Sequence, residues 1–285
     1  MKLMRPKADR VALSIAHVNR IRGQHYADLP GTIALMQDLL RVGAVDGFEL
    51  QNLAEWDATE PPRDEHDKRL AAWQASQKYS VEAIAAHLKE AAAPVLSVHA
   101  NRDVGICLCA GHEQDIARGR LLIHESLWLA HAVGAPVCVF HLWDTWKESF
   151  DPAVLHDALD TIAPQYPDVK AAVENVPTHL GDYTPFELAK TFTWITLDTR
   201  WAGLYDELDR FAAIKDRIAN VHLQGRLENG RWAAFGHEAF TFDEALETIR
   251  GWGYSGLWTV EASGLSGAMW DDLVAAMHAL PIHRM

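Results

Sequence analysis

Four residues in the second half of the chain, Glu174, Asp198, His222 and Glu261, each close a short apolar run: VKAAVE, WITLD, IANVH and LWTVE. Three carboxylates and one imidazole gathered at one point would repel one another unless a cation stood between them. An oxygen-rich set with a single nitrogen suits a divalent ion such as Mn²⁺, Mg²⁺, Co²⁺ or Zn²⁺. Such an ion polarises a carbonyl, and a carboxylate beside it can move protons. Any one of the four alone would pass for a satisfied structural group. Their recurrence at four successive run ends points to a shared task.

The elements that would position them can be read from the same pattern. Four similar runs come earlier: VALSIAH ending at His17, VDGFE at Glu49, VLSVH at His99 and VCVFH at His141. Runs of this length, rich in Val, Ile, Leu and Thr with little polar alternation, read as strands buried on both faces. Helix-length amphipathic segments separate them, which is the βα pattern of a parallel sheet. Eight such units make the fold class α/β, a (β/α)8 TIM barrel whose active site lies at the C-terminal ends of the strands. The residues that end the runs would then ring one pocket.

Between the runs, a first helix is expected after Pro30, with Thr32 as its N-cap and a stop at Gly43. Others are expected over about 68–93, 113–133 and 204–217, from near Pro152 and Pro185, from Phe242 with Thr241 as cap, and over about 267–280. Two long connections, 51–67 and 100–112, follow the second and third strands. The stretch EWDATEPPRDEHDKR, which begins in the first, is too charged and proline-rich for a core. Insertions after barrel strands overlie the pocket, so two readings stay open, a lid or a solvated charged loop.

The chain has 285 residues, slightly more than the typical barrel of about 250, so one domain over 1–285 is expected. With 26 basic and 39 acidic side chains the net charge is −13, which argues against a nucleic-acid partner, because phosphate contacts need clustered Lys and Arg. Three cysteines give no disulfide framework. Cys138 lies inside an apolar strand, and Cys107 and Cys109, without a second pair, read as part of a loop or helix start rather than a soft-metal site. No run approaches the ~20 apolar residues of a membrane span, and the basic N-terminus has no apolar stretch behind it, so a cytoplasmic protein without a membrane partner is expected. The oligomeric state stays open, although barrels of this kind often pair into homo-oligomers.

The strings AAVENVP, ITLDT, NVHLQGR and WTVEAS resemble the last four strands of the xylose-isomerase-like, endonuclease-IV-like TIM barrels, which include sugar and sugar-phosphate isomerases and epimerases. The resemblance runs from VALSIAH to the last helix and is strongest in the second half. It implies that Glu174, Asp198, His222 and Glu261 ligate a catalytic divalent metal. By resemblance to the ketose 3-epimerases, Glu174 and Glu261 would also be the acid/base pair. His99 and His141 match positions that bind another zinc in the AP endonucleases of this group, where the counterpart of Glu174 bridges two metals. One ion is therefore expected. The upstream histidines would hold a second with Glu174, or contact substrate.

Departures from the nuclease pattern narrow the function. Those enzymes carry a histidine three residues after the strand-six aspartate, where this chain has Trp201. Their strand-seven Asp-x-His is missing from QGRLENGRWAAFGHEAF, whose only candidate is His237. Family epimerases also place a histidine after that aspartate, so Trp201 departs from simple ketose epimerisation too. Trp143, Trp146, Trp201 and Trp232 would lie near the mouth, to stack on sugar C–H faces or to pack loops. Arg226 is a candidate for a substrate phosphate or carboxylate, ahead of Arg102 and Lys147. Glu49 and His17 complete the ring as hydrogen-bonding residues toward substrate or ligands. The sequence thus reads as a metal-dependent isomerase, epimerase or related lyase acting on a small carbohydrate-like molecule. The alternatives are a metal phosphodiesterase of the AP-endonuclease kind and a non-catalytic carbohydrate-binding barrel.

Overall fold

The computed structural model describes residues 9–16, 18–23, 28–52, 79–181, 183–236 and 238–284. His17, His237, most of the connection 51–67 and the start of the helix expected over 68–93 lie outside the described residues. The apolar runs form strands β1 (Arg10–Ser14), β2 (Gly47–Gln51), β3 (Val95–His99), β4 (Val137–Phe140), β5 (Lys170–Glu174), β6 (Trp194–Asp198), β7 (Ile218–Glu228) and β9 (Leu257–Ser263). Each pairs in parallel with the next, β7 with β9, and β9 closes on β1. The result is the closed, all-parallel (β/α)8 TIM barrel expected.

Alternation along the strands sorts side chains between two cores. Outward residues such as Leu13, Phe48, Leu50 and Val173 pack under the helices. Inward residues form a separate apolar plug that includes Ala12, Leu96, Val137, Ala172, Ala219 and Leu257. One register step toward the C-terminal ends the interior turns polar, with Ser14 level with Glu49, and Glu49 level with Ser97. The plug closes the bottom of the barrel and leaves the chemistry at its top.

The helices follow the punctuation of the sequence with two shifts. Helix α1 (Leu29–Arg41) starts earlier than expected, because Asp28 accepts from Gly31 N at 2.9 Å and is the cap. Pro30 is tolerated in the first turn, and Thr32 is buried inside the helix. Helix α2 (Val81–Glu90) is the described part of the second. The connection 100–112 is not a solvated loop: it holds α3 (Asp103–Cys109), with Val104, Leu108 and both cysteines buried. A Cβ at Gly105 would stand 2.5 Å from the Trp143 carbonyl, so glycine alone lets α3 lie against the exit of β4. Burial pushes the thiols of Cys107 and Cys109 up to about 12 and about 11, consistent with inert core residues.

The remaining helices are α4 (Glu113–Val133), α5 (Pro152–Ile162), α6 (Pro185–Ala189), α7 (Thr199–Leu204), α8 (Phe242–Gly251) and α9 (Trp270–His278). Thr241 caps α8 in a reciprocal capping box with Glu244. The helix expected over 204–217 is instead α7 followed by 3-10 turns over Leu208–Arg217. The loop after His222 contains the other departure. Strand β7 runs on to Glu228 and folds back as β8 (Arg231–Ala233). Asn229 and Gly230 both take positive φ, the geometry of a two-residue hairpin turn that an Asn-Gly pair favours. No helix among the described residues is long and apolar enough to cross a membrane.

Candidate metal centre

Strands β5, β6, β7 and β9 deliver Glu174, Asp198, His222 and Glu261 to the top of the barrel, where register sets His222 opposite Asp198 on one side and Thr259 on the other. Nδ1 of His222 lies 3.4 Å from Glu174 Oε2 and 3.4 Å from Glu261 Oε1. Glu174, Asp198 and His222 also offer ligand atoms within 4.8 Å of one another. Ligand atoms about 2.1 Å from a shared ion stand roughly 3.0–3.4 Å apart, so the spacing fits a divalent cation. Glu174, Asp198 and His222 are buried, with Glu261 only partly exposed.

Electrostatics points the same way. Burial opposes ionisation of Glu174, but the imidazoles of His141 and His222 outweigh it and hold the carboxyl well below its usual range. Asp198 is driven well above its range by burial and by the carboxylates of Glu174 and Glu261. Glu261 is raised by burial and by Glu174 and Glu49, against the pull of His222. Burial disfavours the His222 imidazolium, yet Glu49, Glu261 and Glu174 raise its pKa well above normal. His99 is likewise lifted to about 9, with Glu174 and Glu49 overcoming burial. The pocket draws protons to itself to relieve crowded negative charge, a task a divalent cation would perform directly.

The upstream histidines join this cluster. His141 Nε2 lies 3.2 Å and His99 Nε2 3.4 Å from the same oxygen, Glu174 Oε2, and their rings meet edge to face at 4.7 Å. With Glu174 they form a second group of donor atoms close enough to share an ion. Glu49 also joins the cluster, its carboxylate forming with His222 and Glu261 a further group of donor atoms close enough to share an ion. It is fully buried, its Oε2 accepting from Ser97 Oγ at 2.9 Å and Asn220 Nδ2 at 3.2 Å, with His222 Nε2 at 3.0 Å, while Oε1 has no hydrogen-bond partner among the described residues.

Sequence reasoning overlooked Gln224. Its Nε2 donates to Asp198 Oδ2 at 2.8 Å and to Glu261 Oε2 at 2.7 Å, tying two of the carboxylates together. The signal was present in NVHLQGR: two residues on from His222, a strand returns to the same face. Asp198 is further fixed by Trp201 N, which donates to Oδ1 at 3.0 Å as α7 begins.

The tryptophans divide. Trp143 is buried and donates to the Pro177 carbonyl at 2.9 Å, so it is a packing residue, because a sugar face needs an exposed ring. Trp232 stacks on Phe242 and donates to Ala276 O, joining the hairpin to α8 and α9. Trp201 is partly buried, with the Arg200 guanidinium over its ring. Trp146 is exposed on the loop after β4, where it stacks on His179. Arg226 shares the inward face of β7 with His222 and Gln224, but lies farther out, half-exposed and paired with Glu228 at 2.6 Å. Lys147 Nζ donates to Cys109 O at 2.7 Å, and Arg102 sits at the start of α3.

The barrel with its polar crown shares its (β/α)8 fold with solved sugar epimerases. Among solved structures it is similar to D-allulose 3-epimerase from Methylomonas sp. in complex with D-allulose, at TM-score 0.60 and 14% identity over 95% of this chain and 90% of that one. The 3-keto-D-glucoside 4-epimerase of E. coli matches at TM-score 0.60 and 13% identity, over 95% and 99%. An AP endonuclease of family 2 from Brucella melitensis matches at 0.54 and 14%, over 91% and 96%. At such identities the likeness is one of fold. No protein-family model matches the chain, and no curated protein is similar to it in sequence.

Proposed function

We propose that this protein is a divalent-metal-dependent isomerase or epimerase, or a related lyase, acting on a sugar, sugar phosphate or polyol ketone. The observation that carries the reading is the buried His222 with Glu174 and Glu261 each 3.4 Å from its Nδ1, beside the buried Asp198. Glu174, Asp198, His222 and Glu261 would hold the ion, which when bound polarises a substrate carbonyl and its neighbouring hydroxyl. Glu174 and Glu261 stand on β5 and β9 with two strands between them, so a substrate seated in the crown meets a carboxylate from each side. One takes the carbon-bound proton beside the carbonyl, and the other returns a proton to the opposite face. The solved epimerases of the same fold support this class of chemistry.

A second ion has a specific observation in its favour, the convergence of His99 and His141 on Glu174 Oε2. It would bring the centre nearer to the phosphodiesterase reading. Against that reading, Trp201 stands where a third-metal histidine would, and the segment after His222 forms a hairpin.

Incubation with ketoses and inososes in heavy water tests the proposal. Deuterium should enter the carbon beside the carbonyl, and Glu174→Gln and Glu261→Gln should each slow it by at least about 100-fold. Full exchange and full metal content in both variants would refute the mechanism. Saturable sugar binding without exchange would favour a non-catalytic barrel, and cleavage of an abasic duplex with three zincs per chain would favour the nuclease.

A further inference from the structure

His222 is engaged differently at its two ring nitrogens. Nε2 stands 3.0 Å from Glu49 Oε2. Nδ1 is buried, makes no hydrogen bond among the described residues, and stands 3.4 Å from both Glu174 and Glu261. Neutral imidazole has one N–H and one lone pair, and the partner of the N–H decides which nitrogen is free to ligate.

Glu49 is itself held from several sides. Ser97 Oγ donates to Oε2 at 2.9 Å and Asn220 Nδ2 at 3.2 Å, and Asn220 is braced by Thr259 Oγ1, which donates to its Oδ1 at 3.0 Å. With all these donors and His222 on one oxygen, Oε2 is saturated as an acceptor. Burying a carboxylate without purpose is costly. No apolar contact requires one here, because the plug of Ala12, Leu96 and their neighbours lies below.

Resting on the metal-centre reading above, we infer that Glu49 is a positioning residue: by accepting the Nε2–H of His222 it fixes the tautomer and ring plane that present Nδ1 to the ion. In this role Glu49 acts through His222, from the ring nitrogen opposite the one that stands beside Glu174 and Glu261. The polar layer of Ser97, Asn220 and Thr259 keeps the Glu49 carboxylate in place.

The test uses the full-length protein labelled with ¹⁵N at histidine and loaded with Zn²⁺ alone. Two-bond ¹H–¹⁵N correlation spectra report which nitrogen of His222 is protonated, with the signals assigned through His222→Asn. The wild type should show Nε2–H with Nδ1 bound to zinc. Glu49→Ala should weaken zinc binding, read by chelator competition, by about 10- to 100-fold. Glu49→Gln, whose amide oxygen still accepts from Nε2–H, should recover most of that loss. A merely structural glutamate would lower thermal stability in both variants without changing zinc affinity or the bonded nitrogen.

Zinc on Nε2 in the wild type would overturn the inference, as would wild-type affinity in a folded Glu49→Ala. If Glu49→Ala does not fold, the wild-type spectrum and Glu49→Gln still decide. A wild type that binds no zinc at all would instead refute the metal centre, so the two failures are distinguishable.

Discussion

The two arcs of the barrel contribute unlike groups to one pocket. The arc from β5 to β9 supplies Glu174, Asp198, Glu261 and the central His222, whereas β2, β3 and the exit of β4 supply Glu49, Ser97, His99 and His141. The first arc concentrates negative charge, and the second answers it with the imidazoles of His99 and His141 and with Glu49, which Ser97 holds beside His222. Carboxylates this close are unfavourable on their own terms. Their arc is therefore where a ligand must contribute, while the opposite arc sets orientation. Losses on the carboxylate side should accordingly remove function, and losses on the imidazole side should tune it.

The largest effects are expected at His222, where the arcs meet. His222→Ala removes a ligand and leaves the buried Glu49 without its imidazole, held only by Ser97 and Asn220, which should cost about 3–5 kcal/mol of stability by denaturant titration. Glu261→Gln keeps shape and should slow deuterium exchange by about 10²–10⁴-fold if Glu261 moves the proton. Chelation comes next. An ion held at a hundred times its Kd contributes about 2.7 kcal/mol, so stripping it should lower Tm measurably, and Mn²⁺ or Zn²⁺ should restore it.

Variants of the imidazole arc sharpen the contrast. In His99→Ala and His141→Ala, elemental analysis should find one ion per chain if the centre is mononuclear, or a fall from two to one if both histidines serve a second. On the carboxylate arc, outside the ligands themselves, Gln224→Ala frees Asp198 and Glu261 from their shared donor and should weaken metal binding by about tenfold. The smallest effect is expected for Arg226→Ala, half-exposed and paired with Glu228: KM should rise for a phosphorylated or acidic substrate and stay unchanged for a neutral sugar.

Much of this was legible because strand ends in a barrel are few and point to one place. The runs closing on Glu174, Asp198 and His222 became β5, β6 and the first part of β7 with their polar residues at the crown. What escaped depended on partners distant in sequence. Glu49 ends its run as the other ring residues do, and only the bonds to Ser97, Asn220 and His222 reveal that it is engaged by the central histidine. Trp143 was indistinguishable from a rim tryptophan until α3 was seen packed against its backbone. The hairpin at Asn229–Gly230 carried a local signal, but a strand continuing beyond the barrel runs against the expectation of a loop there.

The cation itself is best tested by diffraction on crystals grown with Mn²⁺ or Zn²⁺, with data collected on either side of the metal's absorption edge. An anomalous peak should appear among Glu174, Asp198, His222 and Glu261, with Nδ1 as the histidine ligand. Ordinary water in that space, with the four side chains turned apart, would contradict the metal centre and the chemistry built on it.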